Sequence, residues 1–490
     1  MLRLMRPRPR LHFRIRNTKI SLRNKIRNKI IVCLALVLLA SSASALLGQM
    51  AVHDPGVRGG TVDAGSPLAS VASTPGASDF FTNGLQRFTA VDVVSGGANN
   101  GLGPRFNSNQ CASCHIQPSV GGSSPSLNAF PFLGANPQMQ FASSTNTIPS
   151  FITPDGPVRE ARFKFLLNNN GPLSNTPDGG VHDLFVISGR PDAGSCNIQQ
   201  PNFAHNLQMG NVSFRIPTPV FGAGLIENIP DEAILANMNA NAMAKNAMGI
   251  QGQVNRDGND GAITRFGWKA QNKSLEVFAG EAYNVEMGVT NELFQNERSD
   301  PDEALRGGLP ANCRLNSAPE DLTNVNVAYN YAVPSDTVQF AMFMRLLAPP
   351  TPSTTTPGGA TSITNGSRVF NNIGCALCDT PALPTSPSSF TAGLGPATAN
   401  LFSDLLVHHM GTNLADGISQ GSAGPDQFRS APLWGLGQRV FFLHDGRTTD
   451  LLDAITSHAS LGSEANAVIH NFQHLSPQQQ QDLLNFLRSL

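Results

Sequence analysis

The sequence predicts a mainly α-helical protein of two related halves with long irregular loops between its helices. Three observations carry this. The 490 residues include 46 Gly and 35 Pro, a usage that suits helices separated by irregular connections rather than a continuous sheet. The pattern "FNSNQCASCH" at 106–115 returns without a gap as "FNNIGCALCD" at 370–379. The chain also ends in a well-signalled helix. Ser476 is its N-cap, Pro477 its first residue and Gln479 completes a capping box, ahead of an apolar face from Leu483, Leu484, Phe486 and Leu487.

Residues 3–29 hold eleven Lys or Arg and no acid, followed by "IIVCLALVLLA" and "SSASA". A basic region, a short apolar run and small residues at Ala43 and Ala45 predict a secretory signal over 1–45, with an uncleaved anchor as the alternative. Without it, 22 basic residues face 34 acidic ones, so the mature chain is acidic and nucleic-acid binding is disfavoured. The expected location is the bacterial periplasm or another exported compartment, with no transmembrane domain after cleavage. Residues 46–78, rich in Gly, Ser, Ala and Val, read as a flexible arm. In "DFFTNGLQRF", Phe80, Phe81, Leu85 and Phe88 fall at helical spacing. This segment opens an N-terminal domain over 79–345. The Pro-, Thr- and Gly-rich stretch 346–366 reads as a linker, and 367–490 as a second domain.

The repeat extends further. "PVFGAG" (219–224) matches "PLWGLG" (432–437), each after a Phe-Arg pair. These motifs begin 105 and 54 residues beyond the second cysteine of their halves, so the N-terminal copy is enlarged by insertions. Within the duplication Asp379 stands where the first half has His115.

Cys111, Cys114 and His115 form C-x-x-C-H, the attachment pattern of haem c. Two thiols on one helical turn can form thioethers to the haem vinyl groups, and the adjacent histidine is held as proximal iron ligand. A zinc ribbon is the alternative, with Cys375 and Cys378 as its second ligand pair. Cys196 and Cys313 are left to pair in an oxidising compartment or to remain thiols.

From about Asp79 onward the chain resembles the di-haem oxidoreductase family, relatives of the bacterial di-haem cytochrome c peroxidases. The resemblance rests on "GLGPRFNSNQCASCHIQPSVGG", "FGAGLIENIPDEAI", "RFGWKAQ", "FMRLLAPPTP", "FSDLLVHHMG", "LADGISQG", "APLWGLGQRVFFLHDGRTTDLLDAITSHAS" and "LLNFLRSL", in that order. It implies two cytochrome c-like helical domains, each with a covalent haem, one accepting electrons and the other reacting with peroxide. It also implies Met410 as second ligand of the C-terminal iron, the alternative being a core methionine, and places His444 and Arg447 near that haem. No distal ligand is evident for the N-terminal iron, as a peroxide-reactive site requires. Glu281, Glu286, His182 and His205 are the acid–base candidates there. Trp268 and Trp434 either bridge two haems or serve packing.

Asp379 leaves three readings open. A haem is attached through Cys375 and Cys378, with Asp379 or a histidine from elsewhere on the iron; His409 stands out because the family pattern has Asp at that position. Or the site has decayed to a disulfide or two thiols. Or one base separates Asp379 from a histidine codon, through a recent variant or a sequence error. The expected function is an exported haem-c oxidoreductase with peroxidase-like chemistry, drawing electrons from a small redox protein or other donor. The alternative is a non-catalytic electron-transfer cytochrome c or haem-binding protein.

Overall fold

Each half is framed by two helices packed against one another at a glycine. The computed structural model describes residues 51–59, 63–125, 136–167, 173–300, 303, 307–326, 328, 331–388, 391 and 393–490, so the signal expected over 1–45 lies outside the described residues. The helices that position the sites are α1 (Ala77–Phe88), α2 (Cys111–Cys114), α3 (Leu275–Met287), α4 (Asp336–Leu346), α5 (Gly359–Ile373), α6 (Leu451–Thr456) and α7 (Pro477–Ser489).

α1 packs on α4 and α5 on α7. The contact is made at the glycine of a repeated Thr-Asn-Gly, 82–84 and 364–366. A Cβ on Gly84 would lie 2.5 Å from Gln339 O, and one on Gly366 would lie 2.0 Å from Asp482 O, so only glycine admits the partner backbone. The "PVFGAG" and "PLWGLG" turns brace the same helices, Gly224 against Arg345 O and Gly437 against Arg488 O. On α1, Phe81 and Phe88 are buried while Phe80 faces outward, so the apolar stripe is narrower than its sequence suggests. α7 begins as expected, with the Ser476–Gln479 capping box and Pro477 in its first turn. Its Arg488, almost inaccessible, pairs with Asp54 from the stretch read as an arm. α5 starts inside the stretch read as a linker.

The expected fold class needs correction. In place of a mainly α protein of two cytochrome c-like helical domains, the described residues form fifteen short strands in seven small sheets beside the helices. Gly and Pro cut the enlarged first half into pieces too short for helices, and its buried backbone groups pair through antiparallel ladders instead. The largest sheet has three strands, β1 (Glu160–Phe163) between β2 (Val181–His182) and β3 (Val212–Arg215). Its register sets Glu160 opposite Arg215 and Ala161 opposite both His182 and Phe214. In the second half β4 (Val407–His409) pairs with β5 (Gln427–Arg429). Cys196 and Cys313 are joined by a disulfide of 2.11 Å. Among the described residues no helix is long and apolar enough to cross a membrane.

Candidate functional site

Two cavities, one in each half, collect most of the residues singled out in the sequence. The first, of about 160 Å³, is lined by Cys111, Cys114 and His115. α2 presents both cysteines from a single turn, and His115 caps its end. His115 Nδ1 lies 3.1 Å from Gly122 O. Burial pushes the imidazole down to about 4, against hydrogen bonding to the backbone of Gly122 and Thr218, so the ring is neutral. With the proton on Nδ1 toward Gly122 O, the lone pair is on Nε2. This is how metal-binding histidines are held, with one ring nitrogen fixed on a carbonyl and the other free for the metal. Burial also pushes the Cys111 and Cys114 thiols up, to about 12 and about 11, which keeps both uncharged. Phe88, Phe278, Phe340 and Met344 supply apolar wall, and Arg159, Arg162 and Arg215 supply positive charge. The residues present therefore fit a haem: thiols for attachment, a neutral imidazole for iron, apolar faces for the ring and guanidinium groups for its carboxylates.

The polar wall of this cavity comes from the three-stranded sheet and α3. On β1, Glu160 and Arg162 are two residues apart and leave the same face, while Ala161 between them is fully buried. Glu286, in the last turn of α3, is hydrogen-bonded to Glu160. Burial, and then the charge of Glu160, raises Glu286 well above the ordinary carboxyl range. Burial opposes ionisation of Glu160 as well, but Arg162 and Arg215 outweigh it and hold that carboxyl below its usual value. Arg162 Nε donates to Glu160 Oε1 at 2.6 Å. The pair thus holds one proton, on Glu286, beside an ionised partner. Glu281 lines the same cavity and accepts from Asn272.

The second cavity, of about 250 Å³, is lined by Cys375, Cys378, Asp379, His408 and Met410. Asp379 N donates to Cys375 O at 2.9 Å, as His115 N donates to Cys111 O at 3.1 Å, so the two residues occupy one backbone position of the repeat. Burial, and then the charge on Asp404, pushes Asp379 up to about 8. His408 is bonded at both nitrogens, Nδ1 to Glu464 at 2.8 Å and Nε2 to Asp404 at 3.1 Å. His409 does not line the cavity. Its side chain is 42% exposed and its Nδ1 lies 3.0 Å from Asp426. Phe370, Phe472 and Leu483 make the wall apolar, and Arg429 and Arg439 provide charge. His444 is also in this wall, stacked on Phe428 at 4.3 Å. Arg447 is turned to Asp445.

Trp268 lies in the walls of both cavities, its Nε1–H donating to Ile216 O at 2.9 Å. Trp434 packs over Gly222. His182 and His205 are not brought to either cavity. His182 lies on β2, stacked on Phe163, where Asp178 and Asp300 outweigh burial and raise its pKa. His205 sits on the short helix Phe203–Gln208. The two cysteine pairs line different cavities, so they do not form one zinc ribbon. The sequence reading missed Glu160, Arg162 and Arg215. The alternation of "REARFKF", charged on one face and apolar on the other after Arg159, was the available signal.

No curated protein matches the chain. Among solved structures, a Kuenenia stuttgartiensis hydrazine synthase pressurised with 20 bar xenon matches at 12% identity, over 90% of this chain and 98% of that one, with a TM-score of 0.30. The family model that matches is described as "Di-haem oxidoreductase, putative peroxidase" and spans residues 177–490. That span holds Glu286 and Trp268 of the first cavity and the whole wall of the second. With more than half of its length matched, the chain belongs to the di-haem oxidoreductase family.

Proposed function

We propose that the protein is an exported haem-c oxidoreductase with peroxidase-like chemistry, and that the first cavity is the reacting site. One observation carries this: a single cavity joins Cys111, Cys114 and His115 to the Glu160–Glu286 carboxyl pair. Cys111 and Cys114 would hold the haem and His115 would offer Nε2 to its iron. Bound there, the haem supplies the electrons and the metal position that cleavage of a peroxide O–O bond requires.

The chain's own contribution is proton handling. Glu160, held ionised by Arg162 and Arg215, accepts a proton from the bound peroxide at its carboxylate. Glu286, held protonated, donates to the departing oxygen, which leaves as water instead of hydroxide. The proton taken by one carboxyl balances the proton given by the other, so the pair returns to its one-proton state. The apolar second cavity, with Met410 in its wall, serves as the electron-entry site. Trp268 stands between the two. An acidic mature surface suits a basic or neutral redox partner.

Intact mass of the mature protein counts its covalent haems, and rapid mixing with hydrogen peroxide reports the reaction. A haem that disappears in the Cys111→Ala/Cys114→Ala variant, together with peroxide-dependent oxidation of a donor, supports the reading. A strong sixth ligand on that iron in both ferric and ferrous protein, with no peroxide reaction, makes the protein an electron carrier instead.

A further inference from the structure

We propose that Tyr283 is a redox-active residue of the first cavity: after peroxide has reacted there, it gives up one electron to that site and its phenolic proton to Asp92, and becomes a neutral tyrosyl radical. The inference deepens the peroxidase reading of this cavity given above and rests on it. Tyr283 is part of the cavity wall and almost inaccessible. The chain has three tyrosines, the others at 329 and 331, and Tyr331 is exposed. Packed rings lead from Tyr283 to the iron-binding imidazole. Tyr283 meets Phe340 edge-on at 5.1 Å, Phe340 meets Phe88 at 6.1 Å, and Phe88 meets His115 at 6.1 Å. All four rings line the cavity.

The phenol sits among three charged side chains. Its hydroxyl lies 3.0 Å from Asp92 Oδ2 and 3.1 Å from Asp336 Oδ2, and Arg87 donates to it. Arg87 comes from the last turn of α1, Tyr283 from α3 and Asp336 from the first turn of α4. A phenol has one proton and donates to one carboxylate at a time. Asp92 is the more enclosed of the two, its side chain 0% exposed against 27% for Asp336. Burial pushes the Asp92 carboxyl up to about 6 although the charge of Arg87 opposes this. It is ionised at neutral pH, yet a stronger base than an ordinary carboxylate. Burial, and then the charge of Asp92, raises Tyr283 well above the usual phenol range, so the resting residue keeps its proton.

The charges decide the direction of the step. Two carboxylates against one guanidinium leave the resting cluster with one net negative charge. When the electron leaves and the proton moves to Asp92, the phenoxyl oxygen and the Asp92 carboxyl are both neutral. Arg87 and Asp336 remain as a closed ion pair, their Nε and Oδ2 2.7 Å apart. The buried site therefore goes from one net charge to none, a change that a water-poor surrounding favours. Reduction of peroxide to water takes two electrons from the haem, and Tyr283 returns one of them. An electron from the donor later restores the phenol, and Asp92 gives the same proton back to its oxygen. No proton has to cross the apolar wall in either direction.

The test uses the full-length exported holoprotein, mixed with hydrogen peroxide in the absence of a donor and frozen rapidly. Electron paramagnetic resonance reads the radical, and intact mass counts the haems. Wild type is expected to give an organic radical whose hyperfine pattern changes with ring-deuterated tyrosine and not with ring-deuterated tryptophan. Tyr283→Phe keeps the ring and should lose that signal, with haem content and circular dichroism unchanged. Asp92→Asn cannot take the proton and should lose most of the signal. If Asp92→Asn does not fold, infrared difference spectra of wild type serve instead: radical formation should add a carboxylic-acid carbonyl band that shifts in D2O and is absent from Tyr283→Phe. A tyrosyl signal that persists in Tyr283→Phe overturns the proposal, as does a signal that answers to labelled tryptophan alone. So does the absence of any radical in a protein whose haem spectrum changes with peroxide. A haem spectrum indifferent to peroxide, or no haem at Cys111 and Cys114, instead overturns the reading on which the proposal rests.

Discussion

Glu160 and Glu286 are chemically alike, and two arginines make them different. Arg162 and Arg215 stabilise the charge on Glu160, while burial, and then that charge, raises Glu286. Glu286→Gln removes the proton donor and leaves the cavity shape, so the peroxide reaction should slow by roughly 10²–10⁴-fold with haem content unchanged. The pH profile follows from the two shifts. Falling pH protonates Glu160, and because its pKa is lowered, this limb lies below the usual carboxyl range. Rising pH ionises Glu286, and because its pKa is raised, that limb lies well above the range. The rate should hold a plateau through neutral pH, and Arg162→Leu should move the acid limb upward. A rapid-mixing pH profile in which Glu286→Gln matches wild type removes the dyad from the mechanism. At this scale Cys111, Cys114 and His115 are legible in sequence because C-x-x-C-H is a contiguous local pattern. Glu160 and Arg215 are not, since their meeting depends on a strand register that no local pattern encodes.

The helices were legible where they carry their own signals, and the strands were not. α7 announces its start through Ser476, Pro477 and Gln479, and the capping box forms as expected. The strands run for two to five residues, too short for alternation to stand out from loop sequence. The two helix pairs depend on close backbone approach, which a methyl group tests directly. Gly366→Ala would put a Cβ 2.0 Å from a backbone carbonyl that has no rotamer with which to yield. The helices would have to part, at a cost of about 1–3 kcal/mol. Gly84→Ala should act in the same sense on the first pair, whereas Gly395→Ala, with nothing within 4 Å, should be nearly neutral. Ser476→Ala removes a cap and should cost about 1 kcal/mol. Urea denaturation of the four variants provides the measurement. Equal stability of Gly366→Ala and wild type rules out the tight crossing.

Across the whole molecule the duplication produced two cavities of unequal chemistry. Its outline was visible in the repeated cysteine and glycine motifs. The inserted sheet was not visible, and that sheet gives the first cavity its charged wall while the second stays mostly apolar. Such a division suits proton-coupled reaction at one site and electron entry at the other, which requires a route between them. Trp268 is placed for this, being in both walls and fixed from two sides. Its indole N–H donates to Ile216 O at 2.9 Å, just beyond β3, while its own carbonyl accepts from Arg429 N of β5, also at 2.9 Å. Trp268→Leu removes the aromatic ring but leaves the main-chain bond to Arg429 intact, so both cavities should keep their haems. A single turnover with peroxide, using electrons already at the first site, should proceed as in wild type. Refilling that site with electrons that enter at the second should become slower and limit steady turnover. Rapid-mixing spectra separate the two phases. If refilling in Trp268→Leu keeps the wild-type rate, electrons pass between the cavities by a path that does not use this ring.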